Sequence, residues 1–464
     1  MAILMQTIRI CILKANGGRY APRVLRILFV ALIVSLCPSS AVASECSWDL
    51  TPGWVQRENL KKGDVKWDAG VPLRFSADFT RRKEVPRIEG FVSSASATCG
   101  ESVSLTTVGA KKFQVEIYRM GYYKNTGARL IRTLASPKSI MVDSKMVPGQ
   151  YLLKLRSLKR ASTFVPLMVT GSGANDLTFV SSVLTWQSYN QWGGDSLYKG
   201  ADGNRETAAA VVSFDRPYDG DGSGQFRYME QPLVTLMEKA GLDINYITDL
   251  EVDSNPEVFA QTRSIVLGGH SEYWTRSMRQ HFENAVATGT NLIVFGGNTG
   301  YAITEINARD ISGRTPYREI GQPESLLLGS QYFAVAIRKD LVSSNVWPFS
   351  VLGMDAQIKG IYGYEADTAM GTVGPGVQVL ARAVISPTEK GFVAMSTYYS
   401  APSGAAVMNM GTNGWVCAMS NRCPWGYTFD LQAQKQIQKV TEAVLKAVKT
   451  AKWPVAQIDI PTRS

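Results

Sequence analysis

Two segments of the sequence end in the same way, with a pair of glycines followed by a polar side chain that could do chemistry. Residues 264–270 read Ser-Ile-Val-Leu-Gly-Gly-His, and residues 291–298 read Asn-Leu-Ile-Val-Phe-Gly-Gly-Asn. In open parallel sheets ligands bind beyond the carboxyl ends of the strands, and glycines there let a backbone pass close to a bound group. We therefore expect His270 and Asn298 to face one crevice. Glu272, two residues after His270, adds a carboxylate to the same loop.

A further segment, residues 184–198, is dense in aromatic and amide side chains, and it contains Tyr189 and Tyr198. Tyr218 follows in an Arg-Pro-Tyr sequence. Aromatic residues of this kind most often cover a sheet. The alternative is a metal site made by phenol oxygens and Glu272, because a hard trivalent cation deprotonates a phenol whose usual pKa is about 10. Tyrosinate and carboxylate suit ferric iron, although spacing alone does not select that metal.

Other kinds of site are excluded or disfavoured by the residues present. The chain has two histidines, which rules out a centre that needs three imidazoles. His270 is equally consistent with a structural histidine at a strand end, and His281 is interpreted as a surface residue of a helix. The sequence contains no Gly-x-Ser-x-Gly elbow, P-loop or His-Glu-x-x-His motif. Its positive charge forms no basic stripe, so nucleic acid is not an expected partner.

The elements that must position these residues follow two patterns. Residues 44–173 alternate apolar and polar positions between turns, without helical periodicity, and predict an Ig-like β-sandwich. Residues 174–458 alternate strands with helices and predict an α/β domain with a mostly parallel sheet. Short β segments are predicted at 330–415. The other predicted strands lie at 177–185, 244–248, 263–267 and 291–295, and the helices lie at 228–240, at 276–287 and after Asp430.

The first 43 of the 464 residues are expected to be a signal peptide. They carry five basic residues and no acid, then an apolar run at 27–36, and then Ala-Val-Ala at 41–43 before a cleavage point. A membrane anchor is less favoured, because a spanning helix needs about 20 apolar residues. The leader accounts for half of the formal net charge of +10. We expect export to the periplasm or the medium.

Four cysteines remain after the expected leader, and an even number suits two disulfides in an oxidising compartment. We expect Cys46 to pair with Cys99 and Cys417 to pair with Cys423, because each couple lies within one segment of the chain. A metal site at Cys417 and Cys423 is disfavoured, because no second pair of ligands accompanies them.

Seven segments of the sequence, in order, resemble the C-terminal region of the large (β) subunit of N,N-dimethylformamidase. They read Ile-Glu-Gly-Phe at 88–91, Val-Glu-Ile-Tyr-Arg-Met-Gly-Tyr-Tyr at 115–123, Thr-Trp-Gln-Ser-Tyr-Asn at 185–190, Arg-Pro-Tyr at 216–218, Gly-His-Ser-Glu-Tyr-Trp at 269–274, Phe-Gly-Gly-Asn at 295–298 and Gly-Tyr-Glu-Ala-Asp at 363–367. The resemblance covers nearly all of the expected mature chain. It implies that residues 174–458 form a dimethylformamidase-like α/β domain similar to glutamine-amidotransferase-like folds.

The resemblance also implies an amide hydrolase with one ferric ion bound by two tyrosinates and a glutamate. Matched by motif, Glu272 is the glutamate ligand. Tyr189 and Tyr218 are the expected tyrosinates, and Tyr198 is held in reserve because the intervening loops differ in length from those of the family.

The remaining pocket residues of the family match His270, Asn298 and Glu365. The implied mechanism uses Glu365 as the base for the attacking water, and Asn298 or His270 to stabilise the oxyanion. The substrate is expected to be a small N-acyl or N-formyl amide. Dimethylformamide itself is not favoured, because residues 405–408 are aliphatic where the family often has an aromatic residue. This sequence shows no sign of the small partner subunit that the family uses. It does not decide whether the chain forms homo-oligomers. The alternative function is a non-catalytic exported carbohydrate- or surface-binding protein that retains the fold.

Overall fold

The computed structural model of the chain describes residues 46–74, 87–173, 175–369, 376–386 and 392–456. The expected signal peptide lies outside these ranges. The described residues are mixed α/β, with most of their regular structure in four sheets. No helix within the described ranges is long and apolar enough to cross a membrane.

The first eight strands form two sheets that enclose one apolar core. In chain order they are β1 (Glu89–Val92), β2 (Ser96–Ala97), β3 (Ser102–Val108), β4 (Gln114–Met120), β5 (Ala128–Ala135), β6 (Ser139–Met141), β7 (Gly149–Ser157) and β8 (Arg160–Val169). One sheet has the order β1-β3-β6 and the other the order β2-β8-β7-β4-β5. Val103 of the first sheet and Val115 and Leu153 of the second share the core. The alternation of apolar and polar positions therefore correctly predicted that this region consists of strands.

The remaining strands build a nine-stranded sheet and a four-stranded sheet. In chain order they are β9 (Leu177–Ser181), β10 (Val211–Ser213), β11 (Ile244–Thr248), β12 (Ser264–Gly269), β13 (Tyr273–Trp274), β14 (Asn291–Gly296), β15 (Ala302–Asn307), β16 (Asp310–Pro316), β17 (Gln331–Ser343), β18 (Gln357–Thr368), β19 (Gln378–Ser386), β20 (Phe392–Ser400) and β21 (Ala406–Asn409). The large sheet has the order β11-β9-β12-β14-β21-β20-β19-β17-β18, and the small sheet has the order β10-β16-β15-β13.

The large sheet is parallel in only one of its halves. Strands β11, β9, β12, β14 and β21 are parallel neighbours, whereas the pairs from β21 to β18 are antiparallel. The prediction of a mostly parallel sheet was therefore wrong for the second half. The short segments predicted there are long strands, of 13 residues in β17 and 12 in β18. Register shifts between these two strands interrupt the alternation that a sequence pattern needs.

Nine α-helices occur within the described ranges, in chain order α1 (Trp54–Asn59), α2 (Val183–Tyr189), α3 (Phe226–Met229), α4 (Gln231–Lys239), α5 (Asp249–Ser254), α6 (Arg276–Ala287), α7 (Ser325–Leu328), α8 (Gly414–Ala418) and α9 (Leu431–Thr450). Helix α6 has the predicted bounds, and the Asp430 side chain accepts from the backbone N–H of Ala433 at the start of α9, at 2.7 Å. The helix predicted at 228–240 is divided at Glu230.

The strand predicted at 177–185 was wrong beyond Ser181, because residues 183–189 form α2. This helix is buried on nearly every side. Its sequence therefore lacks the polar face that distinguishes a helix from a buried strand. Helix α1 was also missed, since six residues are too few to display a helical period.

A buried ion pair joins the first group of sheets to the second. Arg119 of β4 and Glu238 of α4 lie 2.7 Å apart, and both side chains are fully inaccessible to solvent. Arg119 also donates to the carbonyl oxygen of Pro148, and Glu238 accepts from the hydroxyl of Tyr246 at 2.8 Å. Both charged groups form several hydrogen bonds, and these offset part of the free energy of desolvation that burial of the ion pair costs.

Replacing Arg119 with methionine is expected to lower the free energy of unfolding by about 3–5 kcal/mol, because it leaves the Glu238 carboxylate buried without its cation. The change is measured as a lower urea midpoint. The control is Arg309→Met, which breaks a part-exposed pair with Asp215 and should cost about 1 kcal/mol or less. Equal losses in the two variants would contradict this account.

Both expected disulfides are confirmed. Cys46 is bonded to Cys99 and Cys417 to Cys423, with Cα–Cα distances of 5.4 and 4.8 Å. The second bond closes the loop between α8 and the segment before α9. Two disulfides are typical of proteins that fold in an oxidising compartment.

Candidate functional site

Three residues predicted from the sequence meet in one buried cluster. Side-chain ligand atoms of His270, Glu272 and Glu365 all lie within 4.8 Å of one another, and all three residues are buried. His270 Nε2 is 3.1 Å from Glu365 Oε2 and 3.4 Å from Glu272 Oε2. We call these three residues the acid–histidine cluster. It places one imidazole between two carboxylates.

Glu365 reaches this cluster because the antiparallel half of the large sheet folds back on the parallel half. It lies in β18, the last strand in the sheet order. The N–H of Asp367 donates to the carbonyl oxygen of Gly411 at 2.9 Å, directly after β21. Asn413, at the start of α8, donates from its side-chain amide to Glu365. These contacts bring β18 beside the ends of the parallel strands.

The glycine pairs after β12 and β14 are explained by packing of the protein on itself. Gly269 pairs with Gly296 in the parallel ladder, and a Cβ on Gly296 would collide with the carbonyl oxygen of Gly269. Gly269 has a φ of +27°, and a Cβ there would collide with Met229 of α3. The absence of a Cβ at both positions is therefore required by contacts within the protein, and the approach of a bound group at this point stays a prediction.

Tyr189 belongs to the same site. It is the last residue of α2, and its hydroxyl donates to Glu272 Oε2. Its ring centroid lies 5.0 Å from that of His270 and 4.6 Å from that of Tyr198. Burial, together with the charges of Glu272 and Glu365, raises the pKa of Tyr189 well above its ordinary value. The phenol is therefore protonated at neutral pH unless a cation is bound beside it.

The carboxylates determine the charge of His270. Burial lowers the pKa of this imidazole, but the charge of Glu365 and hydrogen bonds to both carboxylates outweigh burial and raise the pKa to about 9. Burial also opposes ionisation of Glu272. Its hydrogen bond with His270 and the nearby guanidinium of Arg314 nevertheless lower the pKa of Glu272 below its ordinary value. His270 is therefore an imidazolium, and Glu272 is ionised, at neutral pH.

Two residues that the sequence did not reveal orient this cluster. Gln225, at the start of α3, accepts a hydrogen bond through Oε1 from His270 Nδ1 at 3.2 Å, so the imidazole presents Nε2 to the carboxylates. Asn413 orients Glu365. Both are buried amides in loops, and neither lies in a sequence pattern that distinguishes it from the other amides of the chain. The other histidine, His281, is part-buried and its Nδ1 donates to the carbonyl oxygen of Val252 at 2.6 Å, which indicates a structural role.

Asn298 follows the end of β14, so the strand pairing puts it at the same sheet edge as His270. Its backbone has a φ of +53°, and its N–H donates to Asp367 Oδ1 at 2.8 Å. The side-chain oxygen Oδ1 is buried and has no hydrogen-bond partner among the described residues. A polar atom buried in this way is available to a ligand.

The fold places the three candidate tyrosines in two different surroundings. Tyr218 lies outside the cluster, where its ring packs against Trp186 with centroids 6.2 Å apart. Burial, and then the charge of Asp249, raise its pKa. The neighbouring Arg216 donates to the backbone oxygen of Gln187 at 2.9 Å and holds this segment against α2.

Tyr198, in contrast, packs against Tyr189, with the two ring planes inclined by 35°. Its hydroxyl accepts from Arg205 Nη2 at 2.7 Å. The reserve tyrosine, and not Tyr218, is therefore the one that the fold brings beside Tyr189.

The donors present fit a hard cation. Tyr189 and Glu272 supply adjacent phenol and carboxylate oxygens, which are the ligand types that ferric iron favours. Glu272 Oε1 is buried and accepts no hydrogen bond from any described residue. His270 and Glu365 lie close enough to act on a molecule bound there.

Comparison with known proteins gives one strong match. The model of the family described as "N,N-dimethylformamidase beta subunit-like, C-terminal" matches residues 114–425. No curated protein matches the sequence. Among solved structures, the mmIFT52 N-terminal domain is 10% identical with a TM-score of 0.29, and covers 46% of this chain and 86% of its own. A ThuA-like protein from Parabacteroides merdae is 10% identical with a TM-score of 0.26, and covers 49% of this chain and 86% of its own. Neither structural similarity supports a conclusion about function.

Proposed function

This chain belongs to the N,N-dimethylformamidase beta subunit-like, C-terminal family, and on that premise we propose that it is an amide hydrolase with a mononuclear ferric site. The observation that carries the proposal is the buried contact of Tyr189 and Glu272 with His270 and Glu365. All four residues lie in segments that resemble the family. The substrate is a small N-acyl or N-formyl amide.

The proposed ligands are Glu272, Tyr189 and a second tyrosinate, for which the contact between the rings of Tyr198 and Tyr189 favours Tyr198 over Tyr218. When bound, ferric iron supplies a Lewis acid that polarises the amide carbonyl and lowers the pKa of water. The three anionic ligands would balance its charge. Glu272 then acts only as a ligand, and His270 and Glu365 carry out the proton transfers.

Glu365 is the proposed base, because a buried carboxylate beside the reaction centre can accept the proton of the attacking water. The hydrogen bond from Asn413 fixes its direction. His270, whose pKa is raised to about 9, carries a proton at neutral pH and can stabilise the oxyanion. It can then give that proton to the nitrogen as the C–N bond breaks. Asn298 is proposed to lie beside the oxyanion, where it could stabilise the negative charge in place of His270.

The iron assignment predicts a visible tyrosinate-to-iron charge-transfer band after reconstitution with ferric iron. Tyr189→Phe is expected to remove or strongly weaken this band, because the variant lacks the phenol oxygen beside Glu272. Tyr218→Phe is the matched control, since that ring packs on Trp186 instead, and it should keep the band. We would measure the absorption spectrum and the iron content of each purified variant. A colourless, iron-free wild type, or loss of the band only in Tyr218→Phe, would refute the proposed ligands.

The activity is tested by amine release from a panel of short N-formyl and N-acyl amides, with iron-reconstituted protein. Release that depends on iron supports the proposal. If protein that binds iron and shows the band releases amine from no amide in the panel, the proposed hydrolysis is wrong.

Four broader assignments accompany this proposal. We propose that residues 44–173 form an Ig-like β-sandwich domain, and that residues 174–458 form a domain similar to glutamine-amidotransferase-like folds. Export is supported by the two disulfides. The family is described as beta subunit-like, which supports an association with a partner subunit or with further copies of this chain.

A further inference from the structure

Three cationic side chains converge on Tyr198, the ring that packs against Tyr189. The guanidinium carbons of Arg205 and Arg314 lie 4.8 and 4.9 Å from the centroid of this ring. The ammonium of Lys199 lies 5.3 Å from it. We call Lys199, Arg205 and Arg314 the cationic cluster. It stands one aromatic ring away from the phenol that contacts Glu272.

The described acidic residues balance only part of the positive charge of this cluster. Arg314 has one carboxylate partner, Glu272, at 3.5 Å, whereas Arg205 and Lys199 form no ion pair within the described ranges. The loop that carries Arg205 contains Asp202 and Glu206. The Asp202 carboxylate accepts hydrogen bonds from Asn204 and Thr207 of the same loop, and Glu206 is exposed and without an ion pair among the described residues.

The two guanidiniums repel each other. Both lie close to one ring, and therefore within about one Debye length, roughly 10 Å, of each other. The side chain of Arg314 is only 26% exposed, so water screens it less than a surface charge. An anion bound between these cations would relieve the repulsion and gain charge-assisted hydrogen bonds.

Iron bound as proposed above would increase this positive excess. Two tyrosinates and Glu272 would balance the three charges of ferric iron. Arg314 then shares its only described carboxylate partner with the metal. The described carboxylates then no longer balance the charges of the cationic cluster, which favours a substrate with a negative charge.

We propose that the cationic cluster binds a carboxylate of the substrate, and that the substrates are N-formyl or N-acyl α-amino acids. This inference rests on the proposed amide hydrolysis. Arg314 Nη2 lies 3.5 Å from Glu272 Oε1, so a carboxylate on Arg314 lies only a few bonds from an amide at the iron site. In an N-acyl α-amino acid, one carbon separates the amide nitrogen from the carboxylate.

The reaction is a hydrolysis that needs no further reactant. Water adds to the carbonyl carbon, the C–N bond breaks, and the nitrogen takes a proton. The products are the acyl group as a carboxylic acid, or formate, and the free amino acid. The guanidinium fork of arginine matches the two oxygens of the α-carboxylate in both substrate and product.

The inference is tested first by binding, which does not depend on turnover. N-methanesulfonyl-L-alanine carries the carboxylate but has no hydrolysable carbonyl amide, and its carboxamide is the neutral counterpart. Calorimetry on the purified protein is expected to show at least about tenfold tighter binding of the carboxylate, since hydrogen bonds to charged groups are the stronger ones. Arg205→Gln should remove most of this preference. Arg309→Gln, which changes an arginine paired with Asp215, should keep it.

The second test is hydrolysis by iron-reconstituted protein of N-formyl-L-alanine and of its neutral carboxamide. We expect kcat/KM to be at least about tenfold higher for the carboxylate, and Arg205→Gln to remove the difference. Equal affinities and equal rates for the charged and neutral compounds would overturn the carboxylate site while leaving the amide hydrolysis intact. Selective binding of the carboxylate with no hydrolysis of either amide would support the carboxylate site and count against the proposed reaction.

Discussion

Replacement of Glu272 by glutamine is expected to abolish iron binding and, with it, amide hydrolysis. Glutamine keeps the size of the side chain but removes the negative charge that a ferric ion requires from its ligands. It also turns one of the two acceptor oxygens that face Tyr189 and Arg314 into an amide donor, and removes the charge that pairs with Arg314. The expected fall in kcat/KM exceeds the roughly 10²–10³-fold loss that follows removal of one oxyanion donor.

The measurement compares iron content, the visible band and amine release for Glu272→Gln and wild type after identical reconstitution. Glu283→Gln is the matched control, because Glu283 forms a part-exposed pair with Arg279 on α6, and it should behave as wild type. Circular dichroism verifies that both variants are folded. A Glu272→Gln protein that keeps a full complement of iron and the wild-type rate would remove Glu272 from the site.

Replacement of Glu365 by glutamine is expected to give the opposite combination, with iron and colour retained but hydrolysis slowed by about 10²–10⁴-fold. Glu365 contacts His270 and accepts from Asn413, and the proposed iron ligands are other residues. Glutamine can occupy the same space but cannot accept a proton from water. The loss should therefore appear in kcat, with a small change in KM.

Asn413→Ala tests whether the position of Glu365 matters as well as its charge. Asn413 acts through Glu365, so the variant should lose less activity than Glu365→Gln and should keep the visible band. Rates for the three proteins, measured at matched iron content, separate these effects. If Glu365→Gln loses its iron, Glu365 is a ligand rather than the base; if its rate is unchanged, another group accepts the proton.

The elements with a clear periodicity were predictable. Helix α6 and strands β11, β12 and β14 carry regular apolar patterns bounded by glycine or polar residues, and they lie where the sequence indicated. The first three residues of α2 were mistaken for strand because the helix is buried on nearly every side. The long strands after residue 330 were underestimated because shifts of register interrupt their alternation.

The candidate site was partly predictable for a similar reason. His270 and Glu272 lie on one loop, and Asn298 follows the neighbouring strand, so motif and sheet topology together put them at one edge. The positions of Tyr198 and Tyr218 depend instead on how a loop of irregular structure folds back on α2. The contacts that place them, Tyr198 with Tyr189 and Arg216 with Gln187, are side-chain contacts that no periodicity encodes.

The sequence by itself determined the family, the cysteine pairing and the identity of an acid and a histidine beside paired glycines, because short motifs and local periodicity record these properties. Only the tertiary structure decided that Glu365 meets His270, that Tyr218 lies apart, and that three cations surround Tyr198. The reason is physical. Strand β18 reaches the site through hydrogen bonds to the segment after β21. Such contacts between distant parts of the chain depend on sheet order and loop packing. Neither produces a periodic pattern in the sequence.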